Sequence, residues 1–222
     1  MTRTLSEAES KALLSPFGIP FLPEANVTSS GEALLAGTEL GYPLVAKLCG
    51  DSIAHKTERG LVRLMIRNGP ELEHAVDDLL GKATAEDGEV SVLVAPMVEA
   101  TRELIAGITI DEQFGPTVVL GIGGIFTEVI VDVAIRLVPI TEIDAAEMIA
   151  ELRTQSFLDA FRGEPAVDRG ALVRILLALS DFASTHPDLV SVDLNPLMIV
   201  DGAPVAVDAL VEVDDRSESG AR

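Results

Sequence analysis

The chain has 222 residues, 48% of them hydrophobic, and its 36 acidic against 16 basic residues give a formal charge of -20. That surplus argues against nonspecific nucleic-acid binding, which needs a basic face to neutralise phosphates, and against docking on an anionic membrane. The length fits one large domain or two small lobes, and a single Cys49 excludes an intramolecular disulfide, as suits a reducing cytoplasm.

The first fifteen residues lack the apolar core of a signal peptide. The longest apolar run, residues 115–126, is glycine-rich and short of the roughly 18 residues a membrane helix needs. The sequence therefore reads as a soluble cytoplasmic protein.

In chain order, residues 5–15 read as a helix opened by the capping-box pair Ser6 and Glu9. Pro16, Gly18 and Pro20 end it, and 19–22 is a short extended piece. Ser29 and Glu32 repeat the capping spacing before a helix over 31–40, which Gly41 stops. A strand over 43–48, a polar loop over 49–60 and a strand over 61–66 follow. Pro70 opens a helix whose apolar face is Leu72, Ala75, Val76, Leu79 and Leu80. A strand over 89–94 completes an α/β lobe.

The second half is denser in strands: 103–110, 117–121, 127–131 and 134–138. Helices follow from Thr141 to about Arg153 and over 171–183. Strands over 189–194, 197–200 and 205–209 close the chain, the last two joined by an Asp201-Gly202 hairpin turn. Residues 212–222 read as a polar, frayed tail. The expected organisation is an N-terminal lobe over 1–96, a C-terminal lobe over 97–213 and a tail over 214–222. The hinge falls near Pro96 to Arg102.

Three stretches carry candidate chemistry. Residues 42–64 hold two of the four lysines, Lys47 and Lys56, with His55, Arg59 and Arg63, beside Gly50 and Gly60. Cations beside a flexible backbone suit a polyanion such as nucleotide phosphates; a solvated hairpin with scattered charge is the alternative. The glycines of 120–126, LGIGGIF, fit neither the Rossmann fingerprint nor a Walker A loop. They permit a tight turn or a close backbone approach. Near the C-terminus, Asp193 and Asn195 are two apart in a strand and so share a face. Asp208 follows the return strand. Such oxygen donors suit Mg²⁺ beside a nucleotide, although Asp, Asn and Pro are also ordinary turn residues.

The segments LVAKLCGDSIAHKTERGLVRL, RELIAGITIDEQFGP, LGIGGIFTEVIVDVAIRLVPIT, FRGEPAVD, DLNPL and AVDA occur in this order. Together they resemble the ATP-grasp subunit of ADP-forming acyl-CoA synthetases, the acetate–CoA ligase group related to succinyl-CoA synthetase, over about residues 5–213. The resemblance implies an α+β ATP-grasp fold of two α/β lobes with the nucleotide between them. It also implies the reaction acyl-CoA + ADP + phosphate ⇌ acid + CoA + ATP through an acyl phosphate and a phosphohistidine. ATP/ADP and Mg²⁺ are the implied ligands. A CoA-binding alpha subunit that carries the acyl phosphate and CoA chemistry is the implied partner.

By this similarity Lys47 contacts the nucleotide phosphates, and His55 receives and carries the phosphoryl group. Val94, Met97, Val98 and Glu103 fall where base and ribose are held. Asn195 and Asp208 match Mg²⁺ ligands, and Gly123, Gly124 and Glu128 match a GGIF-x-E element. Arg136 and Arg162 match arginines that meet phosphate. Two departures stand out: Gly60-Leu61 where the family has Gly-Gly, and Ala95-Pro96 where it has Gln-Glu. A regulatory module that binds nucleotide and transfers nothing is the second reading, and a carboxylate–amine ligase the third.

Overall fold

The computed structural model of the chain describes residues 2–50, 53, 59–124, 132–161 and 163–214. Contacts divide it into two compact units. One comprises Met1–Leu5, Glu9–Phe21 and Glu99–Arg222, the other Ser6–Ala8 and Leu22–Val98. The division after Val98 lies two residues beyond the expected boundary. The larger departure is at the N-terminus: most of residues 1–21 belong with the C-terminal half. Leu14 and Ile19 explain this, because both are buried in that half's core.

The Leu22–Val98 unit is a four-stranded antiparallel sheet in the order β2-β5-β3-β4, with two helices on one face. Its strands are β2 (Ala25–Val27), β3 (Leu44–Gly50), β4 (Val62–Ile66) and β5 (Val90–Pro96). Strand β2 was not expected from the sequence, being only three residues long. Helix α2 (Ser30–Leu40) starts at Ser29, whose hydroxyl accepts from the Glu32 amide. Helix α3 (Gly69–Gly81) starts at Asn68, whose side chain accepts from the Glu71 amide at 3.0 Å. Leu72, Ala75, Val76 and Leu79 recur at helical spacing and are buried with Leu44, Ala46, Leu48, Val92 and Val94. Each fully buried leucine contributes about 1.5–3 kcal/mol by leaving water.

Because strand residues alternate faces, Val45, Lys47 and Cys49 lie on the sheet face away from this core. Directly opposite partners share a face, so Ala95, Leu93 and Ser91 join them.

The other unit carries a seven-stranded antiparallel sheet in the order β1-β11-β9-β6-β7-β8, with β10 also paired to β9. Strands β6 (Glu103–Asp111), β7 (Gly115–Ile122) and β8 (Val133–Leu137) form a meander. Helices α4 (Glu142–Glu151) and α5 (Arg169–Thr185) supply Ala145, Met148, Leu172, Ile175, Leu176, Leu179 and Phe182 to its core. Helix α1 spans Glu7–Leu14. The strand expected over 127–131 lies outside the described residues.

Two expectations change at the C-terminus. Residues 189–200 form one strand, β9, and its pairing with β6 slips between Leu104 and Ala106. The extra residues fall at Asn195-Pro196, where a proline without an N–H cannot serve the ladder. The polar end is also not all tail: β11 (Leu210–Asp214) lies between β9 and β1 (Thr2–Thr4). Fully buried Val211 anchors it, and its carbonyl accepts from the Leu5 amide at 2.9 Å. The β9–β10 hairpin turns at Asp201 and Gly202, both with positive φ (48° and 85°), the signature of a type I′ turn. Strand β10 covers Ala203–Ala206, shorter than expected.

Candidate functional site

The Leu22–Val98 unit holds one group of the expected residues. Lys47 sits at the middle of β3, opposite Leu93 on one side and Val62 on the other. Its ammonium donates to Glu7 Oε1 at 2.8 Å, and the two side chains are only 11% and 1% exposed. Val94 is fully buried in the core under α2 and α3. Its side chain is thus committed to packing and does not face the Lys47 side, which leaves its backbone as what this position presents on the strand. Met97 continues β5 by donating its amide to the Pro43 carbonyl at 2.9 Å. Its sulfur accepts from the Met65 amide at 3.2 Å. Val98 is half-buried at the end of this unit.

The basic character of 42–64 is largely spent within the unit. Arg59 makes a two-pronged pair with buried Asp87, at 2.7 and 3.0 Å. Those guanidinium donors, with the Thr84 amide, hold the Asp87 carboxyl far below the usual range. Arg63 pairs with Asp78. His55 and Lys56 lie outside the described residues. Leu61, the first of the two departures, has its side chain 2% exposed and buried in the core, while its carbonyl accepts from the Leu48 amide.

The second group lies on the seven-stranded sheet. Strand β9 pairs with β11 up to Asp193 and with β10 from Leu197 onward. Asn195 falls at this change of neighbour, and Asp208 falls in the link between β10 and β11. The Val207 amide ties that link to the Pro196 carbonyl at 3.1 Å. Asp208 turns back on itself, Oδ1 accepting from the Ala209 amide. Burial pushes the Asp193 carboxyl up, the Asn195 side chain partly opposes this, and the negative charge of Asp208 adds to it. Three oxygen-bearing side chains thus stand together, in an arrangement a cation would relieve. Their hard oxygen donors fit a divalent ion such as Mg²⁺, which keeps several waters and takes few protein ligands. Among the described residues no group of three or more His, Cys, Asp or Glu forms a fuller cage.

Glu103 opens β6, and its carbonyl accepts from the Gly123 amide at 2.8 Å. A Cβ on Gly123 would come within 3.0 Å of Leu104 backbone atoms. Gly124, at φ +74°, lies against the Glu103 carboxylate. The glycine pair is therefore a close approach that shapes the surroundings of Glu103. Glu128 and Arg162 lie outside the described residues.

Two arginines have structural duties. Arg136 pairs with Glu151 and Glu147 of α4. Arg102, which the sequence marked as the end of a hinge and the start of RELIAGITIDEQFGP without giving it a role, is 3% exposed. Its guanidinium pairs with Glu164 at 3.1 Å and donates to the carbonyls of Asp159 (3.1 Å) and Pro165 (2.6 Å). It organises the segment around FRGEP, which borders a cavity of about 460 Å³ lined by Thr101, Ser156, Phe157 and Phe161.

Comparison with known proteins now adds to this geometry. The ATP-grasp domain family matches residues 1–213. The chain belongs to the ATP-grasp family. The beta subunit of an ADP-forming acetate–CoA ligase I from Pyrococcus furiosus is 37% identical to this ATP-grasp chain over 211 residues, covering 93% of it and 90% of the relative. The beta subunit of the II form from the same organism is 38% identical, over 92% and 89%. Among solved structures, an acetyl-coenzyme A synthetase from Ca. Korarchaeum cryptofilum in complex with coenzyme A and Ca-AMPCP matches with a TM-score of 0.87 and 31% identity, over 95% of this chain and 93% of that one. Another structure of that enzyme carries Mg-AMPPCP and a phosphohistidine segment pointing towards its nucleotide binding site, with a TM-score of 0.82 and 32% identity over the same shares. No helix among the described residues is long and apolar enough to cross a membrane.

Proposed function

We propose that the chain is the nucleotide-binding beta subunit of an ADP-forming acyl-CoA synthetase. The observation that carries this reading is the near full-length similarity to two beta subunits of ADP-forming acetate–CoA ligases. The same similarity disfavours a module that only binds nucleotide. The partner is a CoA-binding alpha subunit, on which acyl-CoA and phosphate give acyl phosphate and CoA. A His55 ring nitrogen takes the phosphoryl group from the acyl phosphate, releasing the acid. The phosphoryl group then passes to the terminal oxygen of ADP, giving ATP and restoring His55.

Phosphoryl transfer of this kind rests on charge neutralisation and in-line positioning. Lys47 supplies a cation to the nucleotide phosphates, and Glu103 holds the base or ribose. Met97 and Val98 line the base through backbone and apolar contact. Asn195 and Asp208, with Asp193 beside them, hold the Mg²⁺. When bound, the metal neutralises phosphate charge.

The test is co-expression with a CoA-binding subunit, incubation with [γ-³²P]ATP, and detection of acid-labile phosphohistidine. Wild type labels and His55→Ala does not. Equal labelling of the two would sink the relay assignment.

A further inference from the structure

Lys47 reaches its phosphate-contacting position through Glu7, a residue forty positions earlier that no motif singled out. We infer that Glu7 is the positioning residue for the Lys47 ammonium. This inference rests on the proposed role of Lys47 at the nucleotide phosphates and names what makes that role possible.

Glu7 lies in the first turn of α1, where the helix N-terminus favours an acidic side chain. Its turn, Ser6–Ala8, belongs with the Lys47 unit even though the rest of α1 does not. The carboxylate is 1% exposed and within 2.8 Å of the Lys47 ammonium. A carboxylate so far from water is not a surface partner of little consequence. Its burial requires a fixed cation.

Lysine is a point charge on a flexible four-carbon stem, so it does not hold its own position. Val45, Leu93 and Ala95 beside it on the sheet face are buried and apolar, and a fixed acceptor holds its ammonium in place. Glu7 supplies that fixed acceptor. An ammonium has three N–H donors in a tripod. Serving Glu7 with one of them sets the direction of the others, so phosphate oxygens and Glu7 share a single ammonium without displacement. Position, and not the negative charge of Glu7, is what the site uses, because that charge by itself repels a phosphate.

The distinction gives the test. MgADP binding to the purified chain is measured by calorimetry for wild type, Glu7→Ala, Glu7→Gln, Lys47→Ala and the double variant Glu7→Ala/Lys47→Ala. Thermal melts establish that each is folded, and Glu7→Gln carries the test if Glu7→Ala does not fold. Lys47→Ala is expected to weaken binding about 10-fold or more, the effect of losing one charge-assisted contact. Glu7→Ala is expected to weaken it about as much. Glu7→Gln, which keeps an acceptor oxygen and drops the charge, stays within about threefold of wild type. Adding Glu7→Ala to Lys47→Ala changes nothing further, because the residue acts through the lysine. Full additivity in the double variant, wild-type affinity in Glu7→Ala, or a loss in Glu7→Gln as large as in Glu7→Ala would overturn the inference. Wild-type affinity in Lys47→Ala would instead remove the phosphate role of Lys47 on which it rests.

Discussion

Asn195 and Asp208 are brought together by a change of strand partner: β9 leaves β11 and takes up β10 between Asp193 and Leu197, and Asp208 sits in the link that makes the change. The bulge at Asn195-Pro196 frees the strand from its ladder at that point. Side-chain oxygens can therefore gather where a regular strand would continue its pairing. If this junction holds the metal, Asp208→Asn weakens MgADP binding about tenfold, roughly 1.4 kcal/mol. Binding of ADP in excess EDTA stays unchanged. Calorimetry with and without Mg²⁺ checks both arms. Equal weakening in EDTA would show that Asp208 serves the fold or the nucleotide and not the metal.

The Glu7–Lys47 pair also has a signature in stability, apart from any ligand. Removing one partner of a buried pair leaves the other charge unsolvated, at a cost of about 3–5 kcal/mol. Removing both does not. Glu7→Ala and Lys47→Ala should each lower the urea midpoint clearly, and the double variant should lie well above the sum of the two losses. Additive losses would mean that the two groups do not depend on one another in the folded chain.

Arg102 gives a third expectation. Its guanidinium answers a carboxylate and the main-chain carbonyls of Asp159 and Pro165 while 3% exposed. Arg102→Ala leaves the carbonyls of Asp159 and Pro165 without this donor, while Glu164, a third exposed, keeps the Thr101 hydroxyl; the change should cost about 1–3 kcal/mol. Arg102→Lys should recover little of it, because an ammonium cannot span the same fork of acceptors. Denaturant melts of both variants check this, and a lysine variant close to wild type would contradict it.

What could be read in advance follows from how local each signal is. Helix α3 was legible because Leu72, Ala75, Val76 and Leu79 repeat at helical spacing and Pro70 marks its start; the Asn68 cap came only with the structure. The meander β6–β8 was legible from runs of β-branched and aliphatic residues. Strands β1 and β11 were not, because Thr2-Arg3-Thr4 and the acidic run through Asp214 look like tails. Their pairing spans more than two hundred residues of chain.

The same division holds for the site. The candidate donors Asn195 and Asp208 and the candidate cation Lys47 were visible as residue types within ordered motifs. The buried partner Glu7 and the duties of Arg59, Arg63, Arg102 and Arg136 depend on partners brought in by tertiary packing, which spacing does not record. The burial of the Val94 side chain was not read in advance for a related reason. The residue's position in the motif is near the hinge, but strand alternation turns its side chain into the core.

The last prediction concerns acid. Asp87 is buried, receives both prongs of Arg59 and the Thr84 amide, and its carboxyl is held far below the ordinary range. A carboxylate whose folded pKa is depressed binds its proton more readily in the unfolded chain. Its stabilising contribution is therefore complete above the unfolded value of about 4. It declines as pH falls from there toward the folded value. Asp87→Asn removes the charge and one acceptor oxygen at nearly constant shape. The variant should melt below wild type at pH 7, and the gap should narrow steadily as pH drops from about 4 toward 2. Melting curves of both proteins across pH 2–7 read the difference directly, which cancels the many other carboxylates that titrate in this acidic chain. A gap that stays constant through that range would mean that Asp87 acts by shape and hydrogen bonding, and that its ion pair with Arg59 contributes nothing to stability.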